Sequence, residues 1–125
     1  MTGLTELWPG GPRFFQPPGA FPIGTDSVLL ADFVKCSGVN KAFDLGCGAG
    51  VLSVLLLAWT PGLKVDGIEL RPEAAELCRE NLRVNGWDSS GIVTGDLCDH
   101  RKYFKAGDYD LVLCNPPYFP VGAGR

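Results

Sequence analysis

Blocks of apolar and polar positions along this chain change period from one segment to the next. Leu29, Leu30, Phe33 and Val34 recur at helical spacing, and with Thr25 or Asp26 as N-cap and Lys35 in the last turn they predict a helix. Lys41 to Leu45 reads as a short strand. Val51 to Trp59 is apolar nearly all round, the pattern of a helix buried against a sheet, and Thr60-Pro61-Gly62 stops it. Lys64 to Leu70 predicts a second strand. Pro72 then opens a helix with an inward stripe of Ala74, Leu77, Cys78 and Leu82, ended by Asn85-Gly86. Ile92 to Thr94 and Asp110 to Cys114 predict two further strands. Strands alternating with helices across short connections imply an α/β fold, a doubly wound parallel sheet with right-handed crossovers. Residues 1–24 show no sustained period. They read as an irregular arm with room for a short hairpin, packed by Trp8, Phe14, Phe15 and Phe21, ahead of one domain over 25–125.

The last strand raises a packing question. Leu111 to Cys114 is a continuous apolar run, the composition of a strand covered on both faces and flanked on both sides. Only the Pro- and Gly-rich residues 115–125 follow it, and nothing in them can cover or pair it. The expectation is a domain whose C-terminal strands are absent, or a sheet completed by a partner, with self-association through the open sheet edge as one form.

Composition narrows the class. The chain has 125 residues, 46% apolar and 20% charged, and its 17 glycines and 10 prolines sit as punctuation between apolar runs. Eleven basic against 14 acidic residues give a net charge of −3, so no overall field draws the chain to nucleic acid or anionic lipid. The local basic cluster Arg101, Lys102 and Lys105 has the composition of a solvated face. The start carries neither a basic n-region nor an apolar h-region, and the longest apolar stretch, 51–59, is about half a bilayer span. A cytoplasmic protein without a membrane anchor is expected. Cys36, Cys47, Cys78, Cys98 and Cys114 are odd in number and form no C-x-x-C pair, which argues against a zinc knuckle or a disulfide framework and for mostly buried, reduced thiols. With His100 as the sole histidine, multi-histidine metal catalysis is excluded and no metal is expected.

The remaining chemistry gathers at the ends of strands. Gly46-x-Gly48-x-Gly50 sits at a strand-to-helix turn, where bare backbone can approach a ligand and a helix presents free N–H groups. Its spacing departs from the dinucleotide pattern G-x-G-x-x-G, because the third glycine would fall at Val51, and no G-K-[ST] follows. A nicotinamide oxidoreductase and a P-loop are therefore disfavoured. Glu69 ends the second strand, 19 residues after Gly50, where a carboxylate can take both hydroxyls of a ribose. Asp96 ends the third strand and Asn115 the fourth, so with Asp44 four acidic or amide groups fall on one edge of the sheet. In Asn115-Pro116-Pro117-Tyr118 the prolines stiffen the backbone. They leave the Asn115 side-chain oxygen and the Pro116 carbonyl as converging acceptors for a planar NH2 group, with the Tyr118 ring beside them.

Taken in order, Asp44-Leu45-Gly46-Cys47-Gly48-Ala49-Gly50, Glu69, Gly95-Asp96 and Asn115-Pro116-Pro117-Tyr118 resemble the class I S-adenosylmethionine-dependent methyltransferases, in the branch that methylates exocyclic or amide nitrogens. Gly24 to Ala31, ahead of the glycine turn, is similar to the bacterial methylases acting on N6 of the adenine that follows the anticodon of valine tRNA. The resemblance implies a Rossmann-like sheet, S-adenosyl-L-methionine as cofactor and tRNA as partner. It implies that Asp44, Gly46 and Gly48 line the methionine part, with Gly50 also among the cofactor-binding residues, that Glu69 takes the ribose, and that Asp96 with the Leu97 backbone reads the adenine. Asn115, bordering the cofactor, and Pro116 would grip the target amine, with Tyr118 stacked on the base. N-P-P-Y is shared with enzymes that methylate release-factor glutamine and rRNA guanine. Members of the family continue past it for another helix and three strands, so an inactive cofactor-binding fragment is the alternative from another class.

Overall fold

The computed structural model describes residues 3–16, 25–35, 38–105 and 107–114. The arm contains a hairpin, with β1 (Leu4–Glu6) and β2 (Arg13–Phe15) antiparallel in the register Leu4↔Phe15. Helix α1 (Thr25–Lys35) follows, then β3 (Lys41–Leu45), α2 (Val51–Trp59), β4 (Lys64–Glu69), α3 (Pro72–Arg83), β5 (Ile92–Thr94), a 3-10 segment over Leu97–Lys102 and β6 (Leu111–Cys114). Strands β3 to β6 form one parallel sheet in the order β5-β4-β3-β6. The chain winds outward from β3 to β5 and then returns to place β6 on the other side of β3. That reversal creates a switch point at the carboxyl end of β3, where open α/β sheets bind ligands.

The helices cover one face of the sheet. Ala42 of β3, Val65 of β4 and Leu113 of β6 pack against Leu52, Leu55 and Leu56 of α2 and against Ala31 and Val34 of α1. A second cluster joins Phe14 of β2 to Cys47, Val54, Cys78, Leu82 and Ile92. The arm is thereby part of the core, and Trp8 stacks on Trp59 with ring centroids 5.6 Å apart. Helix α3 begins with Pro72 in its first turn and carries Glu73 there and Arg83 in the last turn, charges that oppose the helix dipole. Its outer face is laced by Glu76 with Arg79 and Arg83 and by Glu80 with Arg83, while Arg79 also donates to the Ile92 carbonyl and the Thr94 hydroxyl of β5.

Helix α1 departs from the sequence reading. Leu29 and Phe33 are 63% and 68% exposed, whereas Ser27, Ala31 and Val34 are buried. The face turned to the core thus joins Ser27 and Ala31 to Val34 and the partly buried Leu30, the half of the expected stripe that holds, while Leu29 and Phe33 point away. Thr25 and Asp26 lie inside the first turn instead of capping it, and β4 stops at Glu69, one residue short of the expected end. In α3 the stripe holds for Ala74, Cys78 and Leu82, with Leu77 half-buried, and it gains Ala75 and Asn81.

On the opposite face Phe43 packs on Phe104 and Tyr109, at 4.2 and 5.1 Å between centroids, and the Tyr109 hydroxyl donates to Asp66 at 2.6 Å. These rings, with Leu45, Leu97 and Val112, line an open cavity of about 890 Å³. Strand β6 pairs only with β3 among the described residues, and Val112 is 54% exposed. So the continuous apolar run is covered on one face only: Leu113 is buried, and Val112 looks outward.

Candidate functional site

Two elements and a buried carboxylate build the turn after β3. Gly46 and Cys47 both donate their N–H groups to the Ile68 carbonyl, at 2.9 and 3.1 Å, and Gly50 donates to Cys47 at 2.9 Å. The Gly48 N–H donates to Oε1 of Glu69 at 2.9 Å. Gly48 holds φ at +55°, which a side chain would strain, and a Cβ there would meet no atom of the described residues within 4 Å. Among the described residues, therefore, open space lies over the turn. Gly50 is different: its φ is +95°, and a Cβ would sit 2.7 Å from Sγ of Cys78, so only glycine lets α3 come this close.

Glu69 is buried at the end of β4, and its second oxygen accepts from the backbone N–H of Arg71 at 3.1 Å and from its guanidinium at 3.4 Å. Asp44, also expected at the rim, lies beneath it. The residue is 2% exposed, and its carboxyl group accepts from the Ser53 hydroxyl of α2 at 2.8 Å. Burial pushes this acid up to about 7, with the negative charge of Glu69 adding to the effect and the Ser53 hydrogen bond opposing it. Asp96 is exposed after β5 and caps the 3-10 segment by accepting from the Cys98 N–H at 2.9 Å, with Leu97 partly exposed beside it. The Gly95 N–H donates to the Glu69 carbonyl, joining the β4 and β5 ends of the rim.

The structure thus brings Asp44, Gly46, Gly48, Gly50, Glu69, Asp96 and Leu97 to the carboxyl end of one sheet, with Asp44 as its floor. Asn115, Pro116, Pro117 and Tyr118 lie outside the described residues, as does Cys36. Cys47 and Cys78 are buried as expected, but Cys98 and Cys114 are exposed. A hydrogen bond with Cys78 and burial hold the Cys47 thiol well above its usual range, which disfavours the thiolate. His100 lies in the 3-10 segment, half-buried at the cavity lining, with Nδ1 2.9 Å from the Leu97 carbonyl. No group of three metal-ligating side chains occurs among the described residues, and no helix among them is long and apolar enough to cross a membrane.

Sequence reasoning missed Ser53, Arg71 and Asn81. Ser53 is the one polar residue between Val51 and Trp59, and Asn81 interrupts an apolar stripe, so each carried a signal as a polar side chain at a buried position.

A parallel α/β sheet with a tight glycine turn and an acid at the end of the next strand defines a class of proteins that bind nucleotide-like ligands at a strand edge. The match to a family is specific: this chain belongs to the methyltransferase small domain family, whose profile covers residues 14–123. Among curated relatives, it is 36% identical over 101 residues to the tRNA1(Val) (adenine(37)-N6)-methyltransferase of Aliivibrio fischeri, covering 81% of this chain and 42% of that protein. The enzyme of the same name from Shewanella amazonensis is 36% identical over 103 residues, covering 81% and 43%. The chain spans about two-fifths of the length of these relatives. In fold it is similar to an O-methyltransferase from Bacillus cereus in complex with SAH, at a TM-score of 0.64 and 19% identity, covering 78% of this chain and 47% of that one. A SAM-dependent methyltransferase from Agrobacterium tumefaciens superposes with a TM-score of 0.62 at 18% identity, covering 94% and 41%.

Proposed function

We propose that this chain carries the cofactor-binding part of an S-adenosyl-L-methionine-dependent N-methyltransferase whose acceptor is N6 of adenine 37 in valine tRNA. The observation that carries the reading is the open glycine turn bonded through Gly48 to a buried Glu69 at the switch point of the sheet. The donor set fits the cofactor's chemistry, since three carboxyl groups, Asp44, Glu69 and Asp96, surround a place suited to a cationic ligand with ribose hydroxyls. Glu69 would hold the ribose, Gly46, Gly48 and Gly50 with Asp44 beneath them the methionine part, and Asp96 with Leu97 the adenine.

When bound, S-adenosylmethionine supplies a methyl group already activated on a sulfonium. The chain's own part is then to hold and orient. The sequence Asn115-Pro116 offers a side-chain oxygen and a carbonyl to accept the two hydrogens of the acceptor NH2, which raises electron density on that nitrogen as it becomes tetrahedral. Tyr118 offers a ring for the base to stack on. No histidine base is needed for this chemistry.

The test is calorimetric titration of the chain with S-adenosylhomocysteine, followed by radiolabelled methyl transfer to total tRNA and to a release-factor glutamine peptide. Saturable binding with label in tRNA is the expected result. Label in the peptide alone would reassign the acceptor, and absence of binding would overturn the cofactor reading. Asn115→Ala should abolish transfer with affinity for S-adenosylhomocysteine within about threefold of the parent, because the role assigned to Asn115 is to grip the acceptor amine.

A further inference from the structure

The free edge of β2 is paired by side chains. One edge of that strand is bonded to β1; along the other, Asn85 accepts from the Arg13 N–H at 2.8 Å and donates to the Arg13 carbonyl at 2.7 Å. Two residues along, Asn81 accepts from the Phe15 N–H at 2.6 Å and donates to the Phe15 carbonyl at 3.3 Å. Two amides spaced i, i+4 along α3 and its C-terminal turn thus do the work of a third strand, and Asn85 also donates to the Asn81 carbonyl at 2.8 Å. Asn81 is fully buried, and it makes one bond more than this role needs. Its amide also donates to the carbonyl of Ala49, at 2.9 Å, in the glycine turn.

That extra bond has a definite mechanical effect. The peptide group between Ala49 and Gly50 is held at its carbonyl by Asn81 and at its N–H by the Cys47 carbonyl. With both ends tied, the plane cannot rotate, although Gly50, whose φ of +95° is one of the two torsions about that plane, would otherwise leave it free to flip. We infer that Asn81 is a positioning residue for the cofactor: it locks the Ala49–Gly50 peptide plane and couples the N-terminal hairpin to the glycine turn. The inference rests on the cofactor reading above.

Amide hydrogen exchange across residues 46–51 and S-adenosylhomocysteine titration, applied to the full chain and three variants, separate the possibilities. Asn81→Ala should raise exchange of the Gly50 amide about tenfold and weaken S-adenosylhomocysteine about tenfold, the scale of one lost buried hydrogen bond. Asn81→Asp keeps the size and the acceptor for the Phe15 N–H but turns an oxygen toward two carbonyls, so it should behave like Asn81→Ala even if that variant folds poorly. Asn85→Ala frees the Arg13 backbone without touching Ala49, although the Arg13 guanidinium still donates to the Val84 carbonyl. It should speed exchange of the Arg13 amide while leaving the turn and the affinity within about twofold of the parent. Unchanged Gly50 exchange in both Asn81 variants, or an equal loss in Asn85→Ala, would overturn the inference. A parent chain that binds no S-adenosylhomocysteine would instead sink the cofactor reading, and the exchange comparison would still decide whether Asn81 locks the turn.

Discussion

Asp44 shows what a single buried acid costs and what it is kept for. Its carboxyl group sits under the glycine turn with one hydroxyl partner, and its titration is moved from an ordinary 3.8 to about 7. Between those values the folded chain keeps a proton that the unfolded chain has released. Stability from this group is therefore fully present below about pH 4, falls as pH rises through the window, and is lost above about 7, by roughly 4 kcal/mol in all. Asp44→Asn should flatten that part of the profile, so its thermal midpoint should gain on the parent between pH 5 and pH 8. Parallel melting curves across that range would show that the carboxyl group titrates normally. At pH 8, above the raised titration, the same substitution should weaken S-adenosylhomocysteine, because it removes a negative charge from beneath the turn. Stability and binding would then move in opposite directions, the signature of a residue retained for function.

At the scale of elements, the junction of β3, α2 and α3 turns on one missing Cβ. Gly50 caps α2 in a left-handed conformation, and Cys78 of α3 is packed against it. Gly50→Ala combines backbone strain with a clash, and should cost on the order of 2–4 kcal/mol in urea denaturation. Adding Cys78→Gly removes the clash but not the strain, so the pair should recover part of that loss; full additivity would show that α3 does not press on the turn. Ser53 links the same elements through Asp44, and Asn81 links α3 to the turn and to the hairpin. The β–α alternation and the glycine turn were legible because period and punctuation are local signals. The buried face of α1 was legible only in part: Leu30 and Val34 turn to the core, but Leu29 and Phe33 match the helical period as well as Ser27 and Ala31 do, and packing on α2 selected the smaller pair.

For the molecule as a whole, the two faces of the sheet are unequal. Helices α1 to α3 seal one, while the other carries a 3-10 segment, an aromatic cluster around Phe43 and an open cavity that reaches Val112. Strand β6 offers an unpaired outer edge among the described residues, the arrangement that invites strand pairing between chains. Self-association through that edge predicts a sedimentation coefficient that rises with concentration, and Val112→Lys should suppress the rise with little effect on the melting temperature, since Val112 is exposed. A coefficient independent of concentration in the parent chain would refute it.

Sequence alone determined the order of the elements, the parallel sheet, and the placement of Gly48, Glu69 and Asp96 on its rim. Each follows from apolar period, strand-end position and glycine punctuation, all of which act over a few residues. Tertiary structure decided which groups are tied together: Asp44 to Ser53, Glu69 to Gly48 and Arg71, and Asn81 to Phe15 and Ala49. Those bonds join residues 2 to 66 positions apart, and a buried hydrogen bond is chosen by distance and desolvation in space, which no local pattern encodes.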